Sequence, residues 1–367
     1  MANSPQLALR PGSPAAYRGA LVGVADGSPE SRISRRIYLT ALIYTAALSA
    51  ICVLLLTTGI DGGALFSGYR PDRDTLARIT AFTAVFMLAY GWVWYRVRRA
   101  LLRRVAGLSE IELRSVFESR MDRPFDLHAI LAVHSERRIR VIDMIGRRGR
   151  SLTLASVYMA YVYLRIASGS EPRFLTAAVA DGLLDAIVTG WLYVIAFDSN
   201  GIFGRIIYGA PSRIMDGTLA RANLLSVVTL WNAFKFVMVP LGARLAPLFP
   251  HRHYAALFGF IWISYQVADT MAEVVGCTLG KQTLRVWGIG QVNRKSVAGT
   301  WACFLGSMGA CLLIIWASDL PLSWLGLALA VSVSNTVFEL WSPRGTDDFT
   351  MATANGLLCW AFGLLGA

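Results

Sequence analysis

Apolar residues in this chain run in long blocks separated by shorter polar stretches. The blocks cover residues 37–60, 79–98, 152–169, 174–197, 222–248, 254–279, 299–318, 321–341 and 350–367. A bilayer core needs about 20 consecutive apolar residues per helix, and several blocks reach that length. A segment inside lipid must satisfy every backbone N–H and C=O internally, as a helix does. The ten-residue alternation of a membrane barrel strand is missing. The pattern therefore predicts an all-α, polytopic transmembrane helical bundle of about nine helices. The fourth block carries Asp181 and Asp185, four residues apart. Either they face a hydrated cavity and pair with Arg165, or that segment is not fully embedded.

Composition agrees with this picture: 55% of the 367 residues are hydrophobic and 16% are charged. The formal net charge of +12 would suggest nucleic acid in a soluble protein. Here the charges follow the blocks, so the excess is read as topological, set against anionic lipid, and no nucleic-acid partner is expected. Arg32, Arg35 and Arg36 precede the first block. Arg96, Arg98, Arg99, Arg103 and Arg104, then Arg137, Arg138, Arg140, Arg147, Arg148 and Arg150, fill the loop after the second. Arg205, Arg213 and Arg221 follow the fourth; Lys281, Arg285, Arg294 and Lys295 lie between the sixth and seventh. Counting crossings from these loops puts the N-terminus and all of these segments on the cytoplasmic side. Three regions result: an arm over 1–36, rich in Pro, Gly, Ser and Ala and expected to be disordered; an N-terminal membrane region over 37–221; and a C-terminal membrane region over 222–367. The basic segment 99–150, with a helical stretch over 108–121, is expected to lie along the membrane surface. The five cysteines lie in or beside apolar runs without Cys-x-x-Cys spacing, which argues against disulfides and zinc.

Polar residues cluster in the last hundred positions where an apolar bundle does not call for them. Asp269 and Glu273 are four apart near the end of an apolar helix, with Gly276 and Gly280 following. Such carboxylates are costly unless paired, hydrated or metal-bound, and the glycines admit close backbone approach. Asn293, Arg294, Lys295, Ser296, Gly299 and Thr300 precede another helix. They read equally as an anion site at a helix N-terminus and as basic anchors with Ser296 as N-cap. Glu339 sits inside an apolar helix, and Asp347 and Asp348 follow it. The two aspartates read as Mg²⁺ ligands or as a polar helix cap. Together the three stretches hold the parts that phosphoryl or nucleotidyl transfer needs: metal ligands, cationic clamps and close backbone donors. Lys235 lies mid-helix in a further apolar block, where an ionisable residue marks a site.

These elements, in order, resemble the polyprenol kinase group, which comprises dolichol, phytol and farnesol kinases and the CTP-dependent diacylglycerol kinase, relatives of the phosphatidate cytidylyltransferases. The resemblance rests on Asp269, Ala272-Glu273, Gly276 and Gly280-Lys281; on Lys295-Ser296 with Gly299-Thr300; and on Glu339 with Asp347-Asp348-Phe349-Thr350. It covers about residues 222–367. Thr346, Asp348 and Ala352 depart from the group's Asp, Asn and Pro, and of an upstream basic element only Lys235 is kept.

The resemblance implies a CTP-dependent kinase acting on a lipid alcohol, either an isoprenoid such as phytol or diacylglycerol, with Mg²⁺ as cofactor. On that expectation Gly280, Lys281, Arg294, Lys295, Ser296, Gly299 and Thr300 bind nucleotide, and Asp347 and Asp348 hold the metal. Asp269, Glu273 and Lys235 are the catalytic candidates: Asp269 orients or deprotonates the hydroxyl or makes a second metal contact, and Glu273 and Glu339 support it. A cytidylyltransferase forming a CDP-lipid would use the same parts, but its Gly-His-Gly-Gly ending is missing. A transporter or scaffold on a degenerate kinase fold is the third reading; no internal repeat favours it.

Overall fold

The computed structural model describes residues 29–58, 73–119, 125–167, 174–199, 201–288, 291–342 and 346–366. Among the described residues, each of the nine apolar blocks falls mainly on helix. The first five lie on α1 (Pro29–Thr58), α2 (Arg73–Leu101), α5 (Glu136–Ala167), α6 (Phe174–Ala196) and α8 (Ala220–Leu245). Between α2 and α5 lie α3 (Glu110–Glu118) and α4 (Leu127–Leu131), and α7 (Ile202–Gly209) follows α6. The sixth block is α9 (Tyr254–Phe258), a π-helical turn over Gly259–Ile263, and α10 (Ser264–Leu279). The last three are α11 (Val297–Ala317), α12 (Trp324–Trp341) and α13 (Asp347–Leu364). Among the described residues, two helices, α11 and α12, are long and apolar enough to cross a membrane; residues 184–196 of α6 form a shorter apolar stretch.

The structure departs from the sequence expectation in three places. Residues 29–36, expected in the disordered arm, form the first turns of α1. Residues 280–298, expected as a loop, hold an antiparallel hairpin of β1 (Thr283–Gly288) and β2 (Gln291–Ser296), with Thr283 opposite Ser296 and Leu284 opposite Lys295. Thr283, Val286 and Val292 favour extended backbone, and the pairing satisfies N–H and C=O groups that a loop would leave to water. The fold is therefore helical with one small sheet.

The third is the basic segment, which folds with Ile214 around a core of Leu102, Leu113, Phe117, Phe125 and Ile139. Its helix α5 continues without a break into the third apolar block. Two polar devices hold this unit. Ser109 caps α3 in a capping box, its side chain accepting from the Glu112 N–H while Glu112 Oε2 accepts from the Ser109 N–H at 2.6 Å. Glu112 Oε1 also lies 2.9 Å from His134 Nε2. The second device is the ion pair of Arg98 on α2 with Asp143 on α5, both side chains 1% exposed. Arg98 also donates to the Gly209 carbonyl, and Asp143 Oδ2 accepts from the Ile214 N–H at 3.1 Å.

Burial of Glu112 works to raise its pKa, but the hydrogen bonds from Ser109 and the His134 ring outweigh it, and the carboxyl sits below the usual glutamate value. A depressed carboxylate pKa adds stability above the unfolded-state value, and that stability is lost as pH falls through the folded one. Glu112→Gln should therefore cost about 1 kcal/mol near neutral pH and flatten the loss of thermal stability below about pH 4.5. Melting curves of wild type and variant that stay parallel from neutral to acid pH would refute this.

In the C-terminal half, α8 to α13 pack around Trp324, Phe260, Tyr265 and Cys303. α10 and α11 come close enough that a Cβ on Gly299 would lie 2.9 Å from the Ala272 carbonyl oxygen and 3.3 Å from Gly276 Cα. Glycine is required there because one backbone occupies the space of a side chain. This close crossing brings the C-terminal part of α10 against the end of β2.

Candidate functional site

The C-terminal part of α10, the end of β2, the C-terminal turn of α12 and the first turn of α13 meet at one end of the helical bundle. Ser296 ends β2 and caps α11, its Oγ accepting from the Gly299 N–H at 3.0 Å. This makes the expected helix cap real and sets Lys295, the preceding residue, at the rim. A cavity of about 1730 Å³ opens there. Asp269, Glu273, Gly276, Gly280, Lys295, Ser296, Gly299, Thr300, Glu339, Asp347 and Asp348 line it, as does Lys235. The three sequence stretches thus converge.

Within the cavity, carboxylate oxygens of Asp269, Glu339 and Asp347 all lie within 4.8 Å of one another. Lys295 Nζ donates to Glu339 Oε1 at 2.5 Å. The other oxygen, Glu339 Oε2, is buried without a hydrogen-bond partner. A hard divalent cation takes carboxylate oxygens in such a group, and the unsatisfied Oε2 is an acceptor that a cation would satisfy. These three carboxylates could hold a hard divalent cation. The composition of the group differs from the expected pair: Asp269 and Glu339 stand with Asp347, and Asp348 lines the cavity outside the three. The reason is the angular step of about 100° per residue on a helix, which sends adjacent side chains in different directions. Burial works to lower the pKa of Lys295, but Glu339, with Asp347 and Asp269 beyond it, holds the ammonium above the ordinary lysine value. Lys295 stays charged at neutral pH.

Lys281 is exposed and stands outside the cavity lining, two residues beyond the end of α10. The side chain of Arg294 lies outside the described residues, as do those of Asp181 and Arg165. Lys235 is paired with Asp185 on α6 and lies 5.9 Å from the Trp231 ring centroid. The structure thus gives the mid-helix lysine a partner from a neighbouring helix instead of a place in the carboxylate group. It also gives Asp185 a partner other than Arg165.

Sequence reasoning missed the arginines that meet α10. Arg148 on α5 grips Asp269 with both terminal nitrogens, Nη2 at 2.9 Å from Oδ1, and its Nε donates to Glu273. Arg147 Nη2 donates to Glu273 Oε1 at 2.6 Å, and Arg213 Nη2 to the same oxygen at 2.9 Å. Arg147 is also tied to Asp143 at 3.3 Å. Glu273 is therefore an anchor for three guanidinium groups. In the sequence these arginines match ordinary cytoplasmic anchors, and adjacency alone marks Arg147-Arg148. The site therefore draws on residues from both sides of position 222, since Arg147, Arg148 and Arg213 precede it.

Phe82, Phe86, Trp231, Phe234, Ile261 and Trp262 give the cavity lining an apolar limb as well, with Trp231 stacked on Trp262 at 5.8 Å between ring centroids and the Lys235–Asp185 pair beside Trp231. Small-molecule pockets usually measure about 300–1,000 Å³. The volume here exceeds that range. Comparison of the chain with protein-family models, curated proteins and solved structures finds no match.

Proposed function

We propose that this protein is a membrane-embedded phosphotransferase that moves a phosphoryl group from a nucleoside triphosphate to the hydroxyl of a lipid alcohol. The observation that carries the reading is one cavity lined both by three convergent carboxylates with Lys295 and by a set of aromatic and apolar side chains. The membrane setting is supported by the outer face of α11, where Trp301, Leu305, Leu313 and Trp316 are 62%, 62%, 60% and 79% exposed. Water does not favour such a face, and lipid does. Trp301 and Trp316 lie about 22 Å apart along the helix axis, a spacing suited to two aromatic belts. On the proposed topology the chain is multi-pass with a cytoplasmic N-terminus, and the charged end of the cavity opens to the cytoplasm.

The motif order of residues 222–367 points within this class to the polyprenol kinase group, and CTP as donor comes from that resemblance. Asp269, Glu339 and Asp347 would hold Mg²⁺, which when bound neutralises charge on the transferring phosphate. Lys295 orients the γ-phosphate. The lipid hydroxyl oxygen forms a bond to the γ-phosphorus as the bond to the bridging oxygen breaks, CDP departs, and the hydroxyl proton passes to a carboxylate. The apolar limb holds the chain of the acceptor, an isoprenoid alcohol or diacylglycerol.

Membranes containing the chain, supplied with γ-labelled CTP and a panel of lipid alcohols, should yield a labelled lipid phosphate and CDP. Asp269→Ala should abolish the product with the protein level unchanged. Pyrophosphate and a CDP-lipid in place of CDP would transfer the reading to a cytidylyltransferase. No nucleotide turnover with any acceptor would refute the enzyme and leave a transporter or scaffold.

A further inference from the structure

Three arginines converge on Asp269 and Glu273, with Arg147 also held by Asp143. Arg147, Arg148 and Arg213 carry more N–H donors than Asp269 and Glu273 can accept, and Glu273 alone receives from all three. The side chains of Arg147 and Arg148 are 12% and 13% exposed, so their charges are largely removed from water. Arg213, at 32%, faces the open part of the cavity. Guanidinium forks gathered in this way match the oxygens of phosphate groups. Meanwhile Asp269 is claimed twice. Both of its oxygens are bound by Arg148, yet one belongs to the group of carboxylates suited to a cation.

We infer that Arg147, Arg148 and Arg213 form the landing site for a polyphosphate, and that Asp269 and Glu273 occupy this site as phosphate stand-ins in the ligand-free protein. An arriving polyphosphate gives the arginines new acceptors and releases Asp269 from Arg148. A divalent cation competes with Arg148 for Asp269, so the two ligands help each other: each removes a partner that opposes the other. By linkage the gain is mutual. The inference rests on the proposed reaction for the view that the polyphosphate belongs to a nucleotide; the exchange itself follows from the ion pairs.

The test uses the purified full chain in lipid nanodiscs, with inorganic tripolyphosphate and Mn²⁺ as separate probes. Arg148→Gln and Arg213→Gln should each weaken tripolyphosphate binding about tenfold. Glu273→Gln, which removes the competing charge, should tighten it. Arg148→Gln should also tighten Mn²⁺ binding when no polyphosphate is present, and wild-type Mn²⁺ affinity should rise on adding tripolyphosphate. Weaker tripolyphosphate binding in Glu273→Gln would mean that Glu273 only positions the arginines, and would overturn the inference. So would tripolyphosphate binding indifferent to Arg213→Gln, a variant at a partly exposed side chain that carries the test if Arg148→Gln does not fold. The expected binding pattern without transfer to any lipid alcohol would sink the proposed reaction and leave the landing site standing. Transfer with binding indifferent to the arginines would do the reverse.

Discussion

Lys295→Met is expected to reduce phosphoryl transfer about a thousandfold, the scale reached when a preorganised group facing developing charge is removed. Two effects combine. The cation that orients the transferring phosphate is lost, and Glu339 keeps a buried carboxylate without its partner. The Lys295–Glu339 distance is 2.5 Å and the glutamate side chain is 9% exposed, so its unpaired charge should cost about 3 kcal/mol of stability. Lys295→Met combined with Glu339→Gln separates the two, because the neutral amide needs no cation. The double variant should regain most of the lost thermal stability in detergent and remain inactive. Recovery of turnover in the double variant would show that Lys295 serves only to neutralise Glu339.

Arg98→Met should have the largest effect on folding. Arg98 and Asp143 are each 1% exposed, and Arg98 joins α2, α5 and the Gly209 carbonyl at the end of α7. Removing one member of such a pair costs about 3–5 kcal/mol, while replacing both by apolar groups is often neutral. Arg98→Met is therefore expected to lower the melting temperature sharply, and Arg98→Met with Asp143→Leu to restore much of it. Activity should not return with stability, because Asp143 also fixes Arg147 at 3.3 Å, and Arg147 leads directly to Glu273. Equal melting temperatures for Arg98→Met and wild type would refute the structural part. Full turnover in the double variant would refute the link from Asp143 to the site.

Part of this architecture is visible before folding is considered. Blocks of about 20 apolar residues become helices because only a helix satisfies the backbone where water is scarce. A polar residue inside such a block is costly enough to mark a place of interest, which is how Lys235, Asp269, Glu273 and Glu339 stand out. The helix cap at Ser296 is local, since an N-cap and its acceptor are three residues apart. The hairpin over 283–296 was hidden because its polar and basic residues match a cytoplasmic loop in composition.

Hydrophobic patterning alone sets the helices and marks the three polar stretches that line the cavity, since both follow from backbone hydrogen bonding and the cost of charge in apolar surroundings. Which charges meet was left to the packing of the helices. Arg148 and Asp269 are far apart along the chain, as are Lys235 and Asp185, and opposite charges attract in every combination the sequence offers. The choice among them came from the close crossing of α10 and α11 at their glycines and from the Arg98–Asp143 pair that holds α5. Packing set these partners; the residue types alone left them open.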